Sequence, residues 1–215
     1  MRVIRAAAMG MCFGVRDALE LVERLDGPEL VTIHGELVHN EHVNGSLRER
    51  GFVMGSERRD GLAIPETPRV LITAHGVSDS ERMRLKAAGK ELIDTTCPLV
   101  RRVHAAAVTH QRLGWFLVVI GRSGHVEVAG VVGDLEPDRH AVVGHLDDVR
   151  PFNASHIAIV CQSTTPPFLA HQLRRAIEEA NRSATVKFVD TICRPTRERQ
   201  RAMLELLDQV EAVVV

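Results

Sequence analysis

Short apolar runs rich in β-branched residues alternate with amphipathic helical stretches along this chain. That alternation admits few folds other than parallel sheets joined by crossover helices. The runs at 30–33, 69–72, 91–93, 116–120, 141–143, 157–160 and 186–189 read as strands. Helical spacing of apolar residues marks 16–25, 41–50, 79–88, 99–113, 126–134, 167–180 and 196–207, with Gly51 as a natural C-cap for the second of these. Residues 57–66 and 135–140 read as polar connections. The closing run 212–215 has the signature of a buried strand. A chain does not normally end on a half-built central strand, so this one is expected to stop inside its last unit.

Two segments of the chain read as copies. Asp94-Thr95-Thr96-Cys97, with Arg101 and Arg102 following, matches Asp190-Thr191-Ile192-Cys193, with Arg197 and Arg199 following, at an offset of 96 residues. A third cysteine, Cys12, sits in Met9-Gly10-Met11-Cys12-Phe13-Gly14-Val15, another 85 residues upstream of Cys97. Zinc fingers and ribbons take their ligands in close pairs, so these separations exclude them. A repeat of this length fits a small α/β lobe. The expected organisation is a first lobe over 1–96, a second over 97–192 and the start of a third over 193–215. Each lobe would deliver one thiolate to a shared centre with one coordination position left free.

Composition narrows the class. The chain has 215 residues, 27 basic against 28 acidic side chains and a net charge of −1, so no global field draws it to nucleic acid or to a membrane surface. No run approaches a membrane span, and residues 1–9 contain no signal-peptide core. Four widely spaced cysteines suit a reducing cytoplasm, with metal or catalytic use rather than disulfides.

Polar residues gather where the strands end, the edge at which open parallel sheets bind ligands. His39 follows the first strand, Ala74-His75-Gly76-Val77 follows the second, and Gly124-His125-Val126-Glu127-Val128 follows the fourth. Glycines beside histidines in such loops suit an anion cradle. Their common post-strand placement lifts His39, His75 and His125 above the other histidines; His104, His110, His140 and His171 read as surface residues. Glu127 is a proton-donor candidate, although a carboxylate at a helix start also serves the helix dipole. Ser163 and Thr164 read equally well as proton-relay or oxyanion hydroxyls and as helix caps ahead of Pro166. Three thiolates with an open position fit a zinc–water hydrolase site or a four-iron cluster with one iron free of protein ligands. Cys161 reads as a small buried residue.

Taken together, these stretches resemble the 4-hydroxy-3-methylbut-2-enyl diphosphate reductases, iron–sulfur enzymes of the non-mevalonate isoprenoid pathway. The resemblance rests on Gly10-Met11-Cys12-Phe13-Gly14-Val15, His39-Asn40 with Val43, Ala74-His75-Gly76-Val77, Asp94-Thr95-Thr96-Cys97-Pro98, Gly124-His125-Val126-Glu127-Val128, Gln162-Ser163-Thr164, and Asp190-Thr191-Ile192-Cys193 with Arg199-Gln200. It implies a trefoil of α/β lobes around a central [4Fe-4S] cluster held by Cys12, Cys97 and Cys193, here with the third lobe incomplete. It also implies substrate contacts from His39, His75, His125, Ser163 and Thr164, and proton supply by Glu127 with help from Thr164. The implied reaction removes an allylic hydroxyl with two electrons and two protons, giving isopentenyl and dimethylallyl diphosphate, with a ferredoxin or flavodoxin as electron donor. Two departures stand out: Val126 replaces the family's proline, and Ser163 replaces a threonine. The family's later segment, with a Ser-x-Asn motif and a further serine that grip the diphosphate, lies beyond residue 215. A cluster-binding chain without catalysis is the alternative within the same family.

Overall fold

The expected parallel sheets are present, and there are two of them with one topology. The computed structural model describes residues 2–55 and 63–214. The first sheet contains β1 (Val31–His34), β2 (Val53–Met54), β3 (Arg69–Ile72) and β4 (Glu91–Asp94). The second contains β5 (Phe116–Ile120), β6 (His140–Val143), β7 (His156–Cys161) and β8 (Thr185–Phe188). Their orders, β2-β1-β3-β4 and β6-β5-β7-β8, are the same pattern twice, with every pairing parallel. Helices α1 (Phe13–Glu23), α2 (Glu41–Glu49), α3 (Asp79–Ala87), α4 (Pro98–Arg112), α5 (Val126–Val132), α6 (Pro167–Ala180) and α7 (Arg194–Leu207) complete the chain.

The central strands are buried throughout their apolar runs, which is why they read as continuous rather than alternating patterns. Ile33, Leu71 and Ile72 are fully buried in the first lobe, and Leu117, Ile120, Ile157 and Ile159 in the second. Helices cover these sheets through apolar stripes such as Ala170, Leu173 and Ile177 of α6. Local chemistry sets several boundaries. The Asn40 side chain accepts from Val43 N–H to start α2, Ser78 accepts from Glu81 N–H to start α3, and Gly51 takes a φ of 101° after α2.

Three sequence expectations are corrected, and β2 is an element that the sequence pattern does not announce. Helices α1 and α7 begin at Phe13 and Arg194, directly after Cys12 and Cys193; cysteine caps give no side-chain capping signal to read. The two-residue edge strand β2 is too short to show a period. Residues 212–214 form no strand, since nothing among the described residues pairs with them and Val214 is 97% exposed. His110 is buried, with Nδ1 2.8 Å from the Ala106 carbonyl oxygen one turn back, and His104 is packed against Gly130 of α5. Of the connection expected over 57–66, residues 57–62 lie outside the described residues. The connection after α5 contains a short 3-10 turn over Pro137–Arg139.

The two lobes are joined at the start of α3. The Asp134 carboxylate, from the second lobe, accepts the N–H groups of Asp79 and Ser80 at 2.7 and 3.0 Å, and the Ser80 hydroxyl donates to the Gly133 carbonyl. A carboxylate at a helix N-terminus satisfies orphan donors and the helix dipole together. Asp134→Ala is therefore expected to destabilise the chain by about 1–2 kcal/mol in urea unfolding; a change within about 0.3 kcal/mol would contradict this role.

Candidate active site

Each sheet ends at an outer strand whose exit loop delivers a cysteine. Cys97 follows β4 and Cys193 follows β8; they are the N-caps of α4 and α7, while Cys12 is the N-cap of α1. Cys97 N–H donates to the Ala74 carbonyl at 3.1 Å, and Cys193 N–H donates to the Ser163 carbonyl at 2.9 Å. Each thiol-bearing loop is thereby tied to the loop after the neighbouring strand. The three thiols converge. A Cβ on Gly14, in the first turn of α1, would lie 2.7 Å from Cys97 Sγ, so only glycine admits that sulfur. Burial raises the Cys97 pKa, the Leu99 and Val100 amides oppose that shift, and the nearby Cys12 and Cys193 thiols add to it. Arg199 of α7 donates to the Gly10 carbonyl and brings the Cys12 segment to the third helix. All three cysteines are free thiols, and each is the N-cap of a helix.

The sequence leaves two centres open for this donor set, a single zinc ion or a four-iron cluster. One tetrahedral zinc ion would need its sulfurs about 3.8 Å apart. Among the described residues, no group of three His, Cys, Asp or Glu side chains could hold a single metal ion. A cluster takes one thiolate per iron, so its cysteines need not reach a common ion.

His75 follows Ala74, which accepts the Cys97 N–H, and it packs with His39 and His125. The His39 and His75 rings stack at 4.5 Å, and the His125 ring meets them edge-on at 5.3 and 5.8 Å. Burial, then the charges of His39 and His125, lower the His75 pKa to about 3. Burial, then His39 and Arg122, lower that of His125 to about 4. At neutral pH these two rings are uncharged. His125 Nδ1 accepts the Glu127 N–H at 3.1 Å, which leaves its Nε2 as a donor. His39 Nδ1 lies 3.1 Å from Glu36 Oε2, so that nitrogen carries the proton. His75 Nδ1 is buried without a hydrogen-bond partner among the described residues. Such an atom is satisfied when a polar ligand enters.

Glu127 is 1% exposed and fully engaged by one residue. Its Oε1 accepts the Ser163 N–H at 2.6 Å and its Oε2 accepts the Ser163 hydroxyl at 2.8 Å. Burial raises its pKa, and the two Ser163 bonds pull it back. Thr164 does not touch the carboxylate; its hydroxyl accepts from the Gln162 amide, and that side chain's oxygen accepts the Arg122 N–H. Neither hydroxyl caps α6, whose N-cap is Pro166 without a side-chain bond. Cys161 is buried at the end of β7, with its thiol pushed up to about 12 by burial and then by Asp190.

The register exposes a correspondence that sequence reasoning missed. His34 pairs with Ile72 and Ile120 pairs with Cys161 at equivalent points of the two sheets. An 86-residue offset then sets His39-Asn40-Glu41 on His125-Val126-Glu127, and the matching 89-residue offset sets His75 on Thr164. The signal was a His-x-Glu triplet at a fixed offset. Surroundings separate the two glutamates: Glu41 is exposed and paired with Arg48, whereas Glu127 is buried. Arg82 was missed as well. It donates to the Val77 carbonyl, Asp79, Asp94 and Thr96, binding the His75 loop to the Cys97 loop, but an arginine on a charged helix face gives no sequence signal.

A profile of the LytB protein family matches residues 3–215. The chain belongs to the LytB family. Relatives named 4-hydroxy-3-methylbut-2-enyl diphosphate reductase include one from Pseudomonas entomophila, 32% identical over 224 residues, covering 100% of this chain and 70% of the relative. Another, from Acidithiobacillus ferrooxidans, is 32% identical over 221 residues and covers 100% and 69%. Among solved structures, an (E)-4-hydroxy-3-methyl-but-2-enyl diphosphate reductase described as the terminal enzyme of the non-mevalonate pathway matches with a TM-score of 0.73 at 29% identity, covering 97% of this chain and 74% of that one. The Plasmodium falciparum reductase matches with a TM-score of 0.81 at 26% identity, covering 93% and 63%. The fold of this LytB chain is thus that of the reductases, and its relatives are oxidoreductases of isoprenoid synthesis. No helix among its described residues is long and apolar enough to cross a membrane.

The histidine cluster makes stability pH-dependent. In the unfolded chain these rings titrate near 6.5, but folded His75 and His125 titrate near 3 and 4. Between those values the unfolded chain binds more protons, so their contribution is full above pH 6.5 and falls on acidification. His75→Gln is expected to flatten the loss of urea stability between about pH 7 and pH 5. An unchanged slope would contradict the assignment.

Proposed function

We propose that this LytB chain carries the reductive dehydroxylation of (E)-4-hydroxy-3-methylbut-2-enyl diphosphate, giving isopentenyl and dimethylallyl diphosphate with water as co-product. The observation that carries the reading is the coupling of two half-sites by single peptides. Ala74, bonded by Cys97, precedes His75, and Ser163, bonded by Cys193, holds Glu127. The Cys97 and Cys193 loops, the imidazole cluster and the buried carboxyl thus all follow strand ends of the two sheets.

Cys12, Cys97 and Cys193 would hold a [4Fe-4S] cluster. That group supplies the two electrons, delivered by an external donor such as a ferredoxin or flavodoxin, together with one iron that has no protein ligand. The remaining work belongs to the chain. His39, His75 and His125 face the anionic end of the substrate. The unpartnered His75 Nδ1 and the His125 Nε2–H are ready for polar partners, and an arriving diphosphate favours proton uptake by rings otherwise held neutral. Glu127, kept protonated more readily by burial, gives its proton to the departing hydroxyl oxygen as the C–O bond breaks; a second proton goes to the allylic carbon skeleton. Ser163 fixes the direction of the Glu127 carboxyl. Thr164, in the position of His75 in the other lobe, contributes a hydroxyl at the substrate rim. The neutral, partly dry setting strengthens each of these contacts.

The test is anaerobic reconstitution with iron and sulfide, then turnover with a chemical reductant. Cys12→Ser, Cys97→Ser and Cys193→Ser are each expected to lose the cluster, and Cys161→Ser to keep it. Glu127→Gln is expected to keep the cluster and lose about 10²-fold or more in kcat. Cluster retention in any of the first three variants would overturn the assignment. A loaded protein that ignores the diphosphate would leave a cluster-binding chain without catalysis.

A further inference from the structure

The loops that precede Cys97 and Cys193 are built from the same four tethers. The residue two before the cysteine donates its threonine hydroxyl to the end of the neighbouring strand: Thr95 to the Ile72 carbonyl at 2.7 Å, Thr191 to the Cys161 carbonyl at 2.6 Å. The cysteine N–H donates to a carbonyl two residues further along that connection, Ala74 or Ser163. The aspartate three before the cysteine accepts the N–H of the residue just before it: Thr96 to Asp94 at 2.9 Å, Ile192 to Asp190 at 3.3 Å. Finally, the arginine four after the cysteine, one helical turn on, reaches back to that aspartate: Arg101 to Asp94 at 2.9 Å and Arg197 to both oxygens of Asp190.

Side chains in a helix lean toward its N-terminus, so an arginine at this position returns to the loop that its own helix caps. The pair closes a ring around the cysteine, from the loop before it to the turn after it. Cys12 has Arg16 at the same spacing, but the residue three before it is Met9, and Gly10 stands where the threonine would be. Residues 2–11 have no regular secondary structure, and Met9 and Met11 are exposed. The Arg199 bond to the Gly10 carbonyl ties this segment to α7.

We infer that Asp94–Arg101 and Asp190–Arg197 are positioning pairs that set Cys97 and Cys193 in ligand geometry in the metal-free chain, and that Cys12, lacking such a pair, is the ligand ordered last. This inference rests on the cluster reading only for what the thiols finally hold. Two thiols preset on rigid loops reduce the ordering that accompanies assembly, as preorganised sites do. The third, on an irregular segment, gives the incoming group a way in.

The test begins on the full metal-free chain, with timed alkylation by iodoacetamide read by mass spectrometry. Cys12 is expected to react at least about tenfold faster than Cys97 or Cys193, as a site that opens locally. Hydrogen exchange of the same protein should show protected amides at Cys97 and Cys193 and an unprotected segment over 2–11. Arg197→Met and Asp190→Asn are expected to bring Cys193 to the rate of Cys12 while Cys97 stays slow, with Arg197→Lys restoring part of the difference. On reconstitution, the same variants should broaden the paramagnetic signal of the reduced centre. Equal alkylation of all three thiols in the unaltered chain, or an unmoved Cys193 rate in the variants, would overturn the inference. Failure of the unaltered chain to take up iron and sulfide would sink the cluster reading and leave the alkylation order standing.

Discussion

Two backbone hydrogen bonds, from Cys97 to Ala74 and from Cys193 to Ser163, tie the two cysteine loops of the sheets to the loops that lead to His75 and hold Glu127. Each joins the exit of an outer parallel strand to the exit of the strand beside it. Parallel sheets place all such exits at one end, so the bonds bring the cysteine loops of the outer strands to the loops after the inner ones. The duplicated topology does this twice. Cys12, Gly14 and the Arg199 contact then bring the N-terminal segment to the same point.

Electrostatics divides the labour within the site. Rings packed 4.5–5.8 Å apart cannot all carry charge in a partly buried setting, and His75 and His125 accordingly stay neutral at physiological pH. Glu127 is driven the other way, toward keeping its proton, by the same burial. Uncharged imidazoles and a proton-retaining carboxyl, the states that the proposed function calls on, therefore come from a single physical cause acting on groups of opposite charge type. Burial acts on the Cys97 thiol in the same direction as on Glu127, favouring its protonated form.

Much of this was readable in the residues. The strands were legible because burial on both faces leaves continuous apolar runs, and 69–72 and 116–120 coincide with β3 and β5. His39, His75 and His125 were legible because a polar residue directly after a buried strand marks the ligand edge of the sheet. Other features left no local trace. The starts of α1 and α7 escaped because cysteine as an N-cap offers no capping pattern. The burial of His110 depends on which helix face meets the second sheet. Arg82 makes long-range bonds that no spacing announces. The run at 212–214 misleads in the opposite direction: its apolar character is local, whereas a strand exists only through a neighbour.

The central claim is that the three convergent thiols hold one four-iron centre with an iron left open beside the histidine cluster. Mössbauer spectroscopy of the anaerobically reconstituted chain, with and without the allylic diphosphate, addresses it most directly. The account predicts four irons in one cluster, with a single iron of the four changing its parameters when the diphosphate is added. Iron bound as isolated ions, or a four-iron spectrum indifferent to the diphosphate, would contradict it.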